Sequence, residues 1–91
     1  MNVKENIKTL IVNKPLKLDC GQTINEFPLA YETYGSLNKD KNNAILVFHA
    51  LTGDQFVTGK NPITNKDGWW SYAVGPNKSI DTNKYFVICA N

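Results

Sequence analysis

His49 is the single histidine of this 91-residue chain. It lies within the stretch AILVFHALTGD, Ala44 to Asp54, where an apolar run gives way to a histidine, a Leu-Thr-Gly turn and an acid. In a parallel sheet, functional groups gather at the carboxyl ends of strands. A tight turn there points backbone N–H groups into a cleft, and such donors stabilise an oxyanion without carrying charge themselves. Gly53 would permit the close backbone approach that a larger residue blocks. His49 reads first as a strand-end residue hydrogen-bonded to a neighbouring loop. A general base needs a nucleophile nearby, and the spacing suggests none.

The other candidates for chemistry are isolated. No Gly-x-Ser-x-Gly string, the strained turn that exposes a catalytic serine in α/β hydrolases, occurs in the chain. Ser36, Ser71 and Ser79 therefore read as structural. Cys20 and Cys89 form no C-x-x-C motif, and with one histidine they make no zinc set. Two free thiols in a reducing compartment are expected. Cys89 sits on an apolar strand without the electropositive setting that a reactive thiolate needs. Asp54, Asp67 and Asp81 are single acids in loops, suited to capping or solvation. Of the pair Trp69-Trp70, one ring should pack on the sheet. Gly53 and Gly59 match neither phosphate-binding pattern.

Composition narrows the class further. The formal charge is +2 and 42% of the residues are hydrophobic, which is globular and not disordered composition. All ten basic residues are lysines, dispersed among acids. Arginine does most bidentate reading of phosphate and guanine, so nucleic acid is not an expected partner. The N-terminal MNVKENIKTLIV has no small-residue cleavage site. No apolar run approaches the ~20 residues that cross a bilayer. The expectation is a soluble, cytoplasmic chain with no membrane partner, one small domain at most.

These residues need elements to position them. Thr9 to Val12 is β-prone, and Pro15-Leu16-Lys17-Leu18 alternates in polarity. Asp19-Cys20-Gly21-Gln22 reads as a turn with Gly at positive φ. Phe27 to Tyr34 predicts a strand with Leu29, Tyr31 and Thr33 on one face and Ala30, Glu32 and Tyr34 on the other. Ala44 to Phe48 is a continuous apolar run, as expected of a strand buried on both faces. Tyr85 to Ala90 is a second such run. The long connection between them has room for one short helix, Trp69 to Val74, begun near Asp67 or Gly68 and stopped by Gly75-Pro76. The class is α/β: an antiparallel β-hairpin followed by a βαβ unit, right-handed if the two apolar strands run parallel. One helix cannot cover both faces of such a sheet. The expectation is the opening third or quarter of a larger α/β domain.

Three segments, LAYETYGSLN (Leu29 to Asn38), NAILVFHALTGD (Asn43 to Asp54) and GWWSYAVGPNKSIDTNKYFVICAN (Gly68 to Asn91), resemble the N-terminal part of homoserine O-acetyltransferase. That is an α/β-hydrolase-fold acyltransferase family of methionine biosynthesis, and the resemblance runs from about Leu16 to Asn91. It implies that residues 1–91 are the N-terminal part of a single α/β-hydrolase domain, incomplete, with the triad-bearing part and the lid absent. It implies transfer of acetyl from acetyl-CoA, a co-substrate and not a bound cofactor, to the hydroxyl of L-homoserine. A Ser nucleophile, with a His base oriented by an Asp, would form an acyl-enzyme that homoserine then resolves. The chain order of that triad places all three residues outside this chain, and no metal is implied. The third strand of the fold would span Ala44 to His49, with the Leu51 backbone N–H as one oxyanion donor. Thr52 and Gly53 would border the substrate, and the loop from Thr52 to Thr58 would contribute to acyl-donor and acceptor choice. The full-length family implies a homodimer built through the lid. The chain alone is expected to be inactive. Relatives that acylate serine or use succinyl-CoA, a hydrolase of the same fold, and a non-enzymatic remnant that binds a partner stand as alternatives.

Overall fold

The computed structural model of the chain describes residues 7–91. The expectation of no cleavable leader rests partly on residues 1–6, outside that range. The described residues run through β1 (Lys8–Val12), β2 (Leu16–Lys17), β3 (Thr23–Ile24), β4 (Phe27–Tyr34), β5 (Ala44–Val47), β6 (Val74–Gly75), β7 (Ile80–Asp81) and β8 (Phe86–Ala90). The main sheet has the order β1-β4-β8-β5. β1 and β4 pair antiparallel with Leu10 opposite Leu29, and β4 and β8 pair antiparallel with Tyr34 opposite Val87. β5 and β8 run parallel, Val47 opposite Cys89. The antiparallel start and the parallel pair both follow the sequence. The expected turn closes between β2 and β3, where Leu18 N donates to Gln22 O at 2.8 Å and Gly21 takes a φ of 92°.

The core is small and one-sided. Val47, Val57, Val74, Val87 and Cys89 are buried together, with Tyr34, Ile45, Trp70 and Ile80 packed against them. Strand residues on one sheet face thus meet the crossover segment between β5 and β8. The expected alternation along β4 holds: Tyr34 joins this covered face, and Leu29, Tyr31 and Thr33 lie on the other. There they line an open apolar trough with Leu10, Leu46 and Ile88.

Three expectations are corrected. β5 is not buried on both faces: Leu46 is 58% exposed and Phe48 is 83% exposed. β5 is the outer strand of the sheet, and no described residue packs on its second face. The strand also ends at Val47, short of His49. The helix expected at Trp69 to Val74 is a single turn, closed by Ser71 N to Gly68 O, Ala73 N to Trp70 O and Val74 N to Trp70 O. So short a segment makes too few bonds to offset the cost of nucleating a helix, and its last residue is drawn into β6, which pairs with β7. The crossover therefore carries no α-helix among the described residues. No helix there is long and apolar enough to cross a membrane.

Candidate active-site turn

At the carboxyl end of β5 the chain leaves the sheet through Phe48 and His49 and reverses over Ala50-Leu51-Thr52-Gly53. Gly53 N donates to Ala50 O at 2.8 Å and closes the turn. His49 Nδ1 lies 2.6 Å from the same carbonyl. A carbonyl only accepts, so Nδ1 carries the proton in this contact. His49 is thus a strand-end residue bonded to the adjacent loop, as its isolation in the sequence implied. The turn needs glycine: a Cβ on Gly53 would meet His49 Cβ at 2.9 Å and Ala50 O at 3.2 Å. Within it, the amides of Leu51 and Thr52 donate no hydrogen bond among the described residues. Leu51 is fully exposed. The structure therefore brings Leu51, Thr52 and Gly53 into one turn and leaves two backbone donors open at the strand end.

The chain beyond the turn is firmly held. The Asp54 carboxylate accepts from Phe56 N at 2.9 Å and from Asn61 Nδ2 at 3.4 Å. Trp69 Nε1 donates to Asp54 O at 2.9 Å, while Trp69 N and Trp70 N donate to Phe56 O and Val57 O. The Tyr34 hydroxyl donates to Gln55 O and accepts from Val57 N, each at 3.1 Å. Asn91 Nδ2 donates to Gln55 Oε1 at 2.9 Å. Gln55, Phe56 and Val57 are consequently buried. Of the loop from Thr52 to Thr58, only its ends are accessible to a substrate.

The remaining candidates occupy the positions that their surroundings dictate. Asp67 pairs with Lys60 at 2.9 Å, and Asp81 caps the amides of Asn77 and Asn83. Those two amide donors hold the Asp81 carboxyl below its usual range. Trp70 packs on the core and Trp69 stacks on it, with ring centroids 5.7 Å apart. Cys20 is an exposed free thiol and Cys89 a buried one. The anchoring roles of Tyr34, Gln55, Asn61 and Asn91 were not legible as function. Strand alternation did assign Tyr34 to the Ala30 and Glu32 face, and a buried phenol needs a hydrogen-bond partner.

No protein-family model matches the chain. Over its whole length the chain is 76% identical to a homoserine O-acetyltransferase of Pelagibacter ubique (strain HTCC1062), of which it covers 24%. Over 79 residues it is 58% identical to a homoserine O-acetyltransferase of Mesorhizobium japonicum, of which it covers 20%. It spans about a quarter or less of these curated relatives. Among solved structures it superposes on the homoserine O-acetyltransferase from Bacillus anthracis with a TM-score of 0.82 and 37% identity, covering 93% of this chain and 22% of that one. It also matches esterase E22 with a TM-score of 0.79 and 29% identity, over 93% of this chain and 24% of that one. The described strands are an incomplete portion of an α/β-hydrolase fold, and the chain resembles homoserine O-acetyltransferase throughout.

Proposed function

We propose that this chain is the oxyanion-side portion of a homoserine O-acetyltransferase and that residues 1–91 form part of a single α/β-hydrolase domain. The observation that carries the reading is the 76% identity over all 91 residues to the Pelagibacter ubique relative. The complete enzyme transfers acetyl from acetyl-CoA, a co-substrate, to the hydroxyl of L-homoserine. It serves methionine biosynthesis in the cytoplasm, as a homodimer.

The turn after β5 suits one step of that chemistry. When a nucleophile attacks the thioester carbonyl of acetyl-CoA, the carbonyl oxygen takes on negative charge. The Leu51 N–H donates to that oxyanion, with Thr52 and Gly53 bordering the bound substrate. Collapse of the intermediate expels the CoA thiolate, which takes up a proton, and leaves the acyl-enzyme. The homoserine hydroxyl then attacks the acyl carbon, gives its proton to the base, and passes through a second oxyanion in the same place. Collapse of that oxyanion breaks the bond to the enzyme nucleophile, which takes the proton back from the base, and releases O-acetylhomoserine. The nucleophile, the base and its orienting acid come from outside these 91 residues, which contain no Gly-x-Ser-x-Gly elbow. The 91-residue chain alone therefore catalyses no acetyl transfer.

The test is a chimaera in which residues 1–91 replace the matching segment of the Pelagibacter ubique relative. The expected result is acetyl-CoA-dependent formation of O-acetylhomoserine by the chimaera and none by the 91 residues alone. Leu51→Pro, which deletes one amide hydrogen, should lower kcat by about 100- to 1,000-fold, the typical cost of one oxyanion donor. Leu51→Ala should retain most activity, because its amide remains. Equal activity in the proline and alanine variants would remove Leu51 from the mechanism. The likeness to esterase E22 motivates a second reading, with water as the acyl acceptor. Acetyl-CoA hydrolysis that homoserine does not divert would favour it.

A further inference from the structure

We propose that Tyr34 is a positioning residue for the Leu51 oxyanion donor, its hydroxyl tying the segment after the turn to the interior of the sheet. The inference rests on the reading of Leu51 given above and goes one residue layer deeper. The turn itself has little to hold it: one backbone bond, Gly53 N to Ala50 O, and the His49 contact to the same carbonyl. With Leu51 fully exposed, no side-chain packing fixes its amide. The direction of that amide is then set by the two ends of the turn. One end is β5, registered on β8 at Val47 and Cys89. The other is the segment from Asp54 to Val57.

Several of the bonds to that second end come from further along the crossover. Trp69 and Trp70 hold Asp54, Phe56 and Val57, but they belong to the crossover itself. Three side chains reach it from the sheet side, Asn91 just after β8, Cys89 within β8 and Tyr34 within β4. Cys89 Sγ makes one long contact to a backbone atom, 3.7 Å to Asp54 O, whereas Tyr34 both donates to and accepts from the backbone. Its hydroxyl has one proton and accepts through its lone pairs, and both capacities are used, toward Gln55 O and from Val57 N at 3.1 Å each. The two bonds bracket Phe56, so the phenol fixes both position and direction of the segment. Burial pushes the hydroxyl up to about 12, so it remains a donor across the working range of pH.

Tyr34→Phe in the chimaera removes the hydroxyl and keeps the ring. Active sites are counted by the acyl-enzyme burst. The expected result is a roughly 10- to 100-fold loss of kcat per titrated site, with KM for acetyl-CoA changed by less than about threefold, as for a displaced donor. The pH profile below about 10 should keep its shape, because the variant removes no group that titrates there. A kcat per site within about twofold of the parent, with only the melting temperature lowered, overturns the proposal and leaves Tyr34 a packing residue. If Tyr34→Phe fails to fold, 3,5-difluorotyrosine at position 34 keeps the bonds but ionises at lower pH. Activity should then fall at lower alkaline pH than in the parent, and an unmoved alkaline limb overturns the proposal. An inactive parent chimaera refutes the acetyltransferase reading and this one with it. An active parent with an indifferent Tyr34→Phe refutes this one alone.

Discussion

Cys20 and Cys89 are the same residue type in opposite settings, and the contrast is measurable. Cys20 is exposed on the β2–β3 turn, whereas Cys89 is fully buried in β8. Burial first, and the nearby Asp54 charge second, push the Cys89 thiol up from its ordinary value. It therefore stays protonated where an exposed thiol begins to ionise, and the thiolate is the reactive form. Iodoacetamide at mildly alkaline pH should modify Cys20 of the folded chimaera and leave Cys89 untouched until denaturant is added. Peptide mapping reads each site separately. The linkage has a definite sign. Above the ordinary thiol pKa the unfolded chain releases a proton that the folded one retains, so stability falls as pH rises through that window. Equal labelling of both thiols in the folded state would place Cys89 outside the core.

The crossover between β5 and β8 positions the turn, and its geometry depends on Gly68. A Cβ there would collide with the backbone of Val57 and Thr58, where the two halves of the crossover pass. Gly68→Ala should destabilise the chimaera by about 1–3 kcal/mol, the usual cost of overpacking, read from its denaturant midpoint. A neutral substitution would mean that the halves separate freely. This element also marks the limit of what the sequence disclosed. The strands were legible because alternation along β4 and the apolar runs at β5 and β8 are local patterns. The turn at Leu51 to Gly53 was legible because glycine follows a strand end. Trp69 to Val74 reads as one short helix within the crossover because Asp67-Gly68 before it and Gly75-Pro76 after it are helix-start and helix-stop signals. What decides its shape is distant: Trp69 N and Trp70 N bond to Phe56 O and Val57 O. Likewise, nothing local says that Tyr34 reaches Gln55 and Val57, since that contact spans more than 20 positions. Burial of β5 on both faces was inferred from apolar residues alone, but an apolar face is covered only if something is present to cover it.

As a whole the described residues form a sheet finished on one side. Their radius of gyration, 15.0 Å, exceeds the roughly 12 Å of a compact chain of this length. Leu10, Leu46 and Phe48 are each more than half exposed, and an apolar surface of this kind is unusual in a soluble monomer. The 91 residues alone should bind a dye such as ANS and melt without a sharp cooperative transition, whereas the chimaera should exclude the dye and melt cooperatively. Dye exclusion by the 91 residues alone would show that they close their own surface. The covered side has an optical consequence as well. Both tryptophans of the chain lie there, stacked 5.7 Å apart with ring planes 10° from parallel. At that distance the transitions of two indoles couple, and the coupling appears in the circular dichroism of the pair. One indole is hydrogen-bonded to Asp54 O at the foot of the turn. The circular dichroism of the 91 residues thus forms a built-in reporter, whose signal tracks whether the segment that presents Leu51 is docked or released.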